Sequence, residues 1–375
     1  MRGPRSLHII SSLRRASGGP TQSVIWLCEA LNELGAPAEI ATVWATQEEV
    51  VDSQITTIQG FPIRPPARLR RSPDLSRFLD KNAHRFDLIH VHGLWEWPGF
   101  YARKAATHLG LPLVISPRGM LEPWSLRQNR AIKRVAMALW ERRNLQSAAL
   151  LHATSSTEAS QFQKLGFHNS LAIIPNGLAF PEFIPILKEP PQSALFLSRF
   201  HPVKGADLLL QAWAALPDRK GWTLNLVGPD EQSHRAALEA LARALGLQDS
   251  VTFRGPEYGD EKWALLRQSS LLVLPSHSEN FGNVVAEALS QGVPVIASQG
   301  TPWHDLVTHD CGWWAATTVM GIKEALTLAI GMEPHALAAM GQRGMNWSRS
   351  TFTAEVAAKQ MLRHYQDLLV PRHLR

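Results

Sequence analysis

Cysteine is scarce: only Cys28 and Cys311 occur in 375 residues. Two thiols so far apart offer neither a disulfide framework nor a metal-ligand spacing, and a reducing cytoplasm is the expected compartment. No run of 18 apolar residues occurs, so the sequence predicts no membrane-spanning helix. The opening MRGPRSLHIISSL places basic residues before an apolar stretch, but that stretch is short and reads as a strand, which argues against a secretory signal. Zinc-finger spacing and an aromatic RNA-binding signature are missing too. The net charge of +6 therefore points to anionic lipid or phosphorylated small molecules and not to nucleic acid. The absence of G-x-G-x-x-G counts against a nicotinamide-dependent oxidoreductase.

What is present describes a folded protein with a large core: 45% hydrophobic and 19% charged residues. The length suits two domains. Short apolar runs alternate with longer amphipathic ones. SLHIIS is followed by a helical run from Gln22 to Leu34, closed by Gly35. AEIATVWA, FDLIHVHG, LPLVISPRG, ALLHATS and LAIIPNG continue the strand series. Periodicity disappears in PEFIPILKEPPQ, residues 181–192, which reads as a linker. The rhythm resumes with SALFLSRF, GWTLNLVG, SVTFRG, SLLVLPSHS and GVPVIAS. Strand–helix alternation implies parallel sheets with helices on both faces, with ligands at the carboxyl ends of the strands. Two such halves place the expected site in the cleft between them.

The stretch SENFGNVVAEALSQG, from Ser278 to Gly292, carries the clearest chemistry. It follows the strand LLVLP. Gly282 leaves room for close backbone approach, and the first-turn amides of the next helix form an anion site. Asn283 and Glu287 lie one turn apart on one helical face. Glu279 sits in the preceding loop, so a carboxylate lies past each end of a bound phosphate, and either can accept from vicinal hydroxyls. Arg199, at a strand end, and Lys204, before Gly205, are two cations suited to a diphosphate. Spacing alone is weak evidence, because Glu-x7-Glu is common and charges in turns are usually solvated.

The whole run PSHSENFGNVVAEALSQGVPVIAS resembles the donor-binding motif of the retaining glycosyltransferases of family 4, whose GT-B fold has two facing Rossmann-like domains. IPNG, LSRFHPVKG, LVGPD and VTFRG occur in that family's order. IHVHGLW, SPRGMLEPWSL and TPWHDL…CGWWA are similar to a bacterial subgroup that builds capsules, exopolysaccharides and lipopolysaccharides. The resemblance implies that Glu279 contacts donor sugar hydroxyls and that Glu287 binds the ribose. Amides near Phe281, Gly282, Asn283 and Val284 meet the diphosphate or sugar, and Arg199 and Lys204 neutralise the diphosphate. Phe253-Arg254-Gly255 matches the segment that borders the nucleobase, largely through backbone contacts, which makes Arg254 a donor-side residue with its side-chain role open. Gly18 and Gly19, in the first glycine-rich loop, approach from the other domain.

In the N-terminal half, His92 ends its strand and is expected to point toward the cleft, with His90 deeper on the same face. His92 is an acceptor-side candidate or a structural residue. Arg118 stands where many relatives carry a histidine, so that histidine's role does not transfer; an acidic sugar, an acceptor phosphate or the leaving group are its possible partners. SLRQNRAIKRVAMALWERRNLQ reads as one helix with an apolar stripe at Ile132, Val135, Ala136 and Leu139. Arg127, Arg130 and Arg134 share another face, beside Lys133. That face is either solvated or set against anionic lipid.

The expected organisation is an acceptor-binding Rossmann-like domain at 1–182, a linker at 183–192, a nucleotide-sugar-binding domain at 193–350, and a C-terminal helix at 351–375 able to pack back on the first domain. The expected function is retaining transfer of a sugar from a nucleotide-diphosphate sugar to a glycan or lipid-linked acceptor. Arg199, Lys204 and Glu279 form the expected catalytic group, and no further cofactor is expected. With no Asp-x-Asp pair, no essential metal is expected either. The expected location is the cytoplasm, with peripheral contact at the cytoplasmic face of the inner membrane as a second placing. A GT-B sugar-nucleotide epimerase and a non-catalytic nucleotide-binding protein are the alternatives.

Overall fold

The computed structural model describes residues 3–14, 19–45, 53–184, 192–231 and 233–370. Gly18 and most of the 183–192 linker lie outside the described residues. The chain forms two compact units: residues 1–179 with 353–375, and residues 180–352.

The first unit holds β1 (Ser6–Ile10), β2 (Ala38–Trp44), β3 (Thr57–Pro62), β4 (Leu88–His92), β5 (Leu113–Ser116), β6 (Leu150–Ala153) and β7 (Leu171–Ile173). They form one parallel sheet in the order β3-β2-β1-β4-β5-β6-β7. Strands buried on both faces need no polar alternation, and β1 and β4 are buried at every residue. Leu7, Ile9, Ile89 and Val91 face helices Pro73–Asn82, Trp97–Leu109 and Ser156–Lys164. The opposite face packs against helix Gly19–Glu33, through Val24, Cys28 and Leu31, and against helix Ala354–Leu369, through Ala358, Met361 and Tyr365. Periodicity had left the partner of that last helix open.

Sequence reasoning passed over β3. It sits at the sheet edge and carries Gly60 and Pro62 where a strand signal needs branched or aromatic residues. Trp44 lies so close over Gly60 that any Cβ there would overlap its ring.

The run from Pro123 to Ser147 corrects the expectation of a single helix. Asn129 is left-handed (φ 52°) and separates Pro123–Arg127 from Arg130–Ala136. A π-helical turn, Met137–Glu141, follows before Arg142–Ser147. Arg127 is therefore on a different helix from Arg130 and Arg134. The apolar stripe also fails as a core face: Ile132, Val135 and Leu139 are 45%, 56% and 71% exposed, while Ala136 alone is buried in its helix.

The second unit contains β8 (Ser193–Leu197), β9 (Thr223–Val227), β10 (Val251–Arg254), β11 (Leu271–Leu274), β12 (Val295–Ser298) and β13 (Gly312–Ala315). All pair in parallel in the order β10-β9-β8-β11-β12-β13. The order reverses between β8 and β11, and the crevice at the carboxyl ends of such a pair is where doubly wound sheets hold ligands. One face is packed by helices Ala206–Ala214, His234–Ala244 and Val319–Gly331. On the other, helix Asn283–Ser290 lies against helix Pro334–Thr351, where a Cβ at Gly341 would stand 1.9 Å from the Gly292 carbonyl oxygen.

Candidate functional site

At the β8–β11 switch point three of the sequence-predicted residues of the second unit, Lys204, Glu279 and Glu287, fall into two groups. Lys204 ends a short 3-10 turn, Pro202–Lys204, capped by His201, whose Nδ1 accepts from the Val203 amide at 3.1 Å. Gly205 follows with φ +66°, and a Cβ there would meet the Pro275 carbonyl oxygen at 2.3 Å. This close approach seats Lys204 against the loop that leaves β11. The His277 amide reaches back to the Val203 carbonyl at 2.8 Å. Lys204 Nζ then donates to Glu279 Oε1, which also accepts from Ser276 Oγ at 2.9 Å. Both side chains are nearly buried, at 13% and 11% exposure, so water screens the pair little. Glu279 Oε2 has no protein partner among the described residues.

Glu287, on the helix Asn283–Ser290, forms the second group. It is 6% exposed, and its Oε1 accepts from Lys262 Nζ at 2.8 Å. Lys262 lies over the Trp263 ring, 4.6 Å from its centroid. Its remaining oxygen, Oε2, again has no protein partner among the described residues. Sequence reasoning missed Lys262, because it stands on a separate helix, Gly259–Arg267, with no local motif to mark it. Between the two carboxylates lies Gly282, left-handed at φ +82°, which caps the helix ahead of the half-buried Asn283 and Val284. The arrangement is a helix N-terminus flanked by two lysine-held carboxylates, each with one oxygen open. It can accept hydroxyl groups at both ends and an anion in the middle.

The other predicted residues have different partners. Arg199 donates to Glu231 Oε2 at 2.8 Å in a pair that is 44% and 36% exposed. Such exposed pairs contribute about 1 kcal/mol or less, so an anionic ligand can take the guanidinium at small cost. Arg254 is held by Glu257 at 2.8 Å and is also half exposed. The Phe281 side chain is only 5% exposed and packs on Trp303 and Phe352, so it is a core residue that leaves only its backbone for a ligand. Gly19 is the exposed first residue of its helix.

His92 and Arg118 require correction. The parallel register sets His8 opposite His90, and His92 opposite Ser116, on one face of the sheet. His92 is 3% exposed and points into that face. Arg118, left-handed at φ 54°, turns inward instead of outward. Its guanidinium donates to His92 Nδ1 at 3.1 Å, Asn176 Oδ1 at 3.0 Å and Ser23 Oγ at 3.1 Å. Buried donors must find acceptors, and here these are neutral protein groups.

Two fixed ends determine every proton in this network. Arginine only donates, so His92 Nδ1 accepts and its Nε2–H donates to His8 Nδ1 at 3.0 Å; His8 Nε2–H then donates to Ser6 Oγ at 3.1 Å. A carbonyl only accepts, so His152 Nε2–H donates to Ile174 O at 2.8 Å and its Nδ1 accepts from Ser116 Oγ at 2.6 Å. Ser116 in turn accepts from His90 Nε2–H, whose Nδ1 accepts from the Tyr365 hydroxyl, each at 2.6 Å. All four imidazoles are neutral. Burial, helped by the Arg118 charge, lowers His8 and His152 to about 3, and His90 and His92 also fall well below 6.5. Burial likewise brings Arg118 down to about 10. His8, His90 and His92 bring ring nitrogens within 4.8 Å of one another, a spacing that could hold a metal ion. The donor set does not fit a cation: the Arg118 charge sits on His92, and the Nδ1 and Nε2 of His90 are taken by Tyr365 and Ser116.

Family models match both units: "Glycosyl transferase 4-like domain" over residues 18–177 and "Glycosyl transferases group 1" over residues 182–347. The chain is 30% identical over 260 residues to a D-inositol 3-phosphate glycosyltransferase of Mycobacterium sp. (strain KMS), covering 62% of this chain and 58% of that protein. It is 34% identical over 215 residues to an exopolysaccharide phosphotransferase of Streptomyces coelicolor, covering 54% of this chain and 21% of that one. The chain thus spans little more than half, or less, of these curated relatives. Among solved structures, HepE of Anabaena in complex with UDP and glucose has a TM-score of 0.77 at 20% identity, over 97% of this chain and 100% of that chain. Sucrose-phosphate synthase of Thermosynechococcus elongatus has a TM-score of 0.80 at 22% identity, over 97% and 99%. These likenesses establish the GT-B type of fold. With both units matched in turn, this chain belongs to the group 1 glycosyltransferases.

Proposed function

We propose that the protein moves a sugar from a nucleotide-diphosphate sugar to a glycan or lipid-linked acceptor, with retention of configuration and no essential metal, in bacterial capsule, exopolysaccharide or lipopolysaccharide synthesis. The observation that carries this reading is the pair of lysine-held carboxylates either side of the Gly282 helix start. Glu287 Oε2 takes a ribose hydroxyl, Glu279 Oε2 takes a sugar hydroxyl, and the amides between them meet the diphosphate. HepE, of like fold, is recorded with UDP and with UDP-glucose, which supports a nucleotide-sugar donor here. The bond from the anomeric carbon to phosphate breaks, the bond to the acceptor oxygen forms, and the acceptor proton passes to the departing phosphate. Charge gathers on that phosphate, where Lys204 and Arg199 neutralise it. An epimerase needs no acceptor and is not favoured by relatives named as glycosyltransferases. His92 and Arg118 enter this reading as buried supports and not as acceptor contacts.

Calorimetry with UDP, GDP and ADP tests the donor site and identifies the base. Glu287→Ala removes an acceptor whose charged hydrogen bonds contribute about 1.5–3 kcal/mol. Affinity for the nucleoside diphosphate is expected to fall roughly 10- to 100-fold, with the melting temperature recorded alongside. Unchanged affinity removes Glu287 from the site.

The exposed segment 127–139 of the first unit supports peripheral membrane contact. Between Glu122 and Glu141 the chain carries Arg127, Arg130, Lys133 and Arg134 and no acidic residue, beside the exposed Ile132, Val135 and Leu139. Cations supply about 1 kcal/mol each near an anionic surface, and the apolar side chains insert. The protein is expected to cosediment with anionic vesicles at low salt. Ile132→Ser with Leu139→Ser should weaken this at every salt concentration, and Arg130→Glu with Arg134→Glu most strongly at low salt. A wild type that stays in the supernatant at low salt leaves the face simply solvated.

A further inference from the structure

Three bonds tie the loop after β11 to the loop after β12. Ser298 Oγ donates to the Ser276 carbonyl at 2.5 Å, the Glu279 amide donates to the Gly300 carbonyl at 2.9 Å, and Trp303 Nε1 donates to the Phe281 carbonyl. The two loops are so close that a Cβ on Gly300 would meet the Ser276 oxygen at 2.2 Å. The second loop is itself anchored: Trp314 Nε1 donates to the Thr301 carbonyl at 3.2 Å, and Thr317 Oγ1 accepts from the Gly300 amide at 3.1 Å. Trp303 is 2% exposed, with ring centroids 5.1 Å from Phe281, 5.2 Å from Phe352 and 5.8 Å from Trp347.

The third bond has a directional consequence. A trans peptide holds its C=O and N–H antiparallel. Among the described residues the only cis bond is Pro65–Pro66, so the Phe281–Gly282 peptide is trans. When the Trp303 indole fixes the Phe281 oxygen inward, it turns the Gly282 N–H outward. That amide stands at the start of helix Asn283–Ser290, and no protein acceptor among the described residues takes it. Gly282 is also closely packed: a Cβ there would lie 3.3 Å from Leu274 Cδ2 and 3.4 Å from Trp303 Nε1.

We infer that Trp303 is a positioning residue for the anion-reading backbone: its indole N–H sets the direction of the Gly282 amide, and the 298–303 loop holds the 276–282 loop in the geometry that meets a diphosphate. This rests on the donor-site reading above. Trp303 touches no ligand in this account and acts through one peptide plane.

The test compares wild type with Trp303→Phe, which keeps an aromatic ring in the cluster and removes the N–H, and with 3-benzothienylalanine at position 303, which keeps the indole's shape without it. Calorimetry uses UDP, GDP and ADP, with the matching nucleosides as controls for the base pocket. Both replacements are expected to weaken the nucleoside diphosphate about tenfold and leave the nucleoside within twofold. The Gly282 amide resonance, which should shift on adding the diphosphate to wild type, should respond less in both. Equal diphosphate affinity in wild type and the isosteric variant overturns the inference. So does an equal loss for nucleoside and diphosphate, the signature of a merely loosened fold. If wild type binds none of the three diphosphates, the donor-site reading fails first, and the two failures are distinguishable.

Discussion

Replacing Lys204 with alanine is expected to lower turnover roughly 100- to 1000-fold at saturating donor, the scale of about 2.7–4 kcal/mol seen when an oxyanion donor is lost. The leaving diphosphate gains charge only as the anomeric bond breaks, so a cation held in place contributes more at the transition state than in the ground state. Lys204 is held by Glu279 and by the tight turn ahead of Gly205, whereas the one ion-pair partner of Arg199 among the described residues is a half-buried Glu231. The loss should therefore fall harder on Lys204→Ala than on Arg199→Ala. Removing one member of a buried pair also strains the fold. The double variant Lys204→Ala with Glu279→Ala, which removes both charges, separates that effect from catalysis through its melting temperature. EDTA should leave wild-type transfer largely intact. Wild-type activity abolished by EDTA and restored by magnesium, together with an active Lys204→Ala, would overturn this mechanism.

Acid is expected to weaken the first unit through its histidines. The unfolded chain protonates an imidazole near 6.5, whereas folded His8 and His152 do so only near 3. Between those values the unfolded state binds more protons, so stability falls as pH falls, and the loss is complete below about 3. From pH 7 to 5 each costs about 2 kcal/mol, about 4 for the two, and His90 and His92 add in the same direction. Glu122 and Glu141 run the other way. Burial lifts both carboxyls from 4.5 to about 7, so the folded state takes up those protons first and gains stability down to about 4.5. The histidine contribution is isolated by difference. His152→Gln should be less stable than wild type at pH 7 in urea unfolding, with the gap narrowing by about 2 kcal/mol at pH 5. A gap independent of pH would show that the folded His152 is not held neutral. Nitrogen-15 spectra should place all four protons on Nε2.

The sequence by itself determined what depends on near neighbours along the chain. Strand–helix alternation was legible because apolar period and turn residues are local, and so was the Glu279–Gly282–Glu287 run, whose members follow one strand and open one helix. The Asn129 break was not legible, since a left-handed asparagine and a π-helical turn leave no gap in an apolar period, and neither was the exposure of Ile132, Val135 and Leu139. Only the tertiary structure decided which distant groups meet. Lys262 reaches Glu287 because their helices are neighbours. His8, His92, Arg118 and Tyr365 converge because strand order and register bring β1, β4 and β5 side by side and seat the last helix on the same face. A histidine at a strand's end reads as facing a ligand when only its own strand is known. Whether it faces water or a buried arginine is set by the neighbouring strands and covering helices, and those long-range pairings leave no period in the chain.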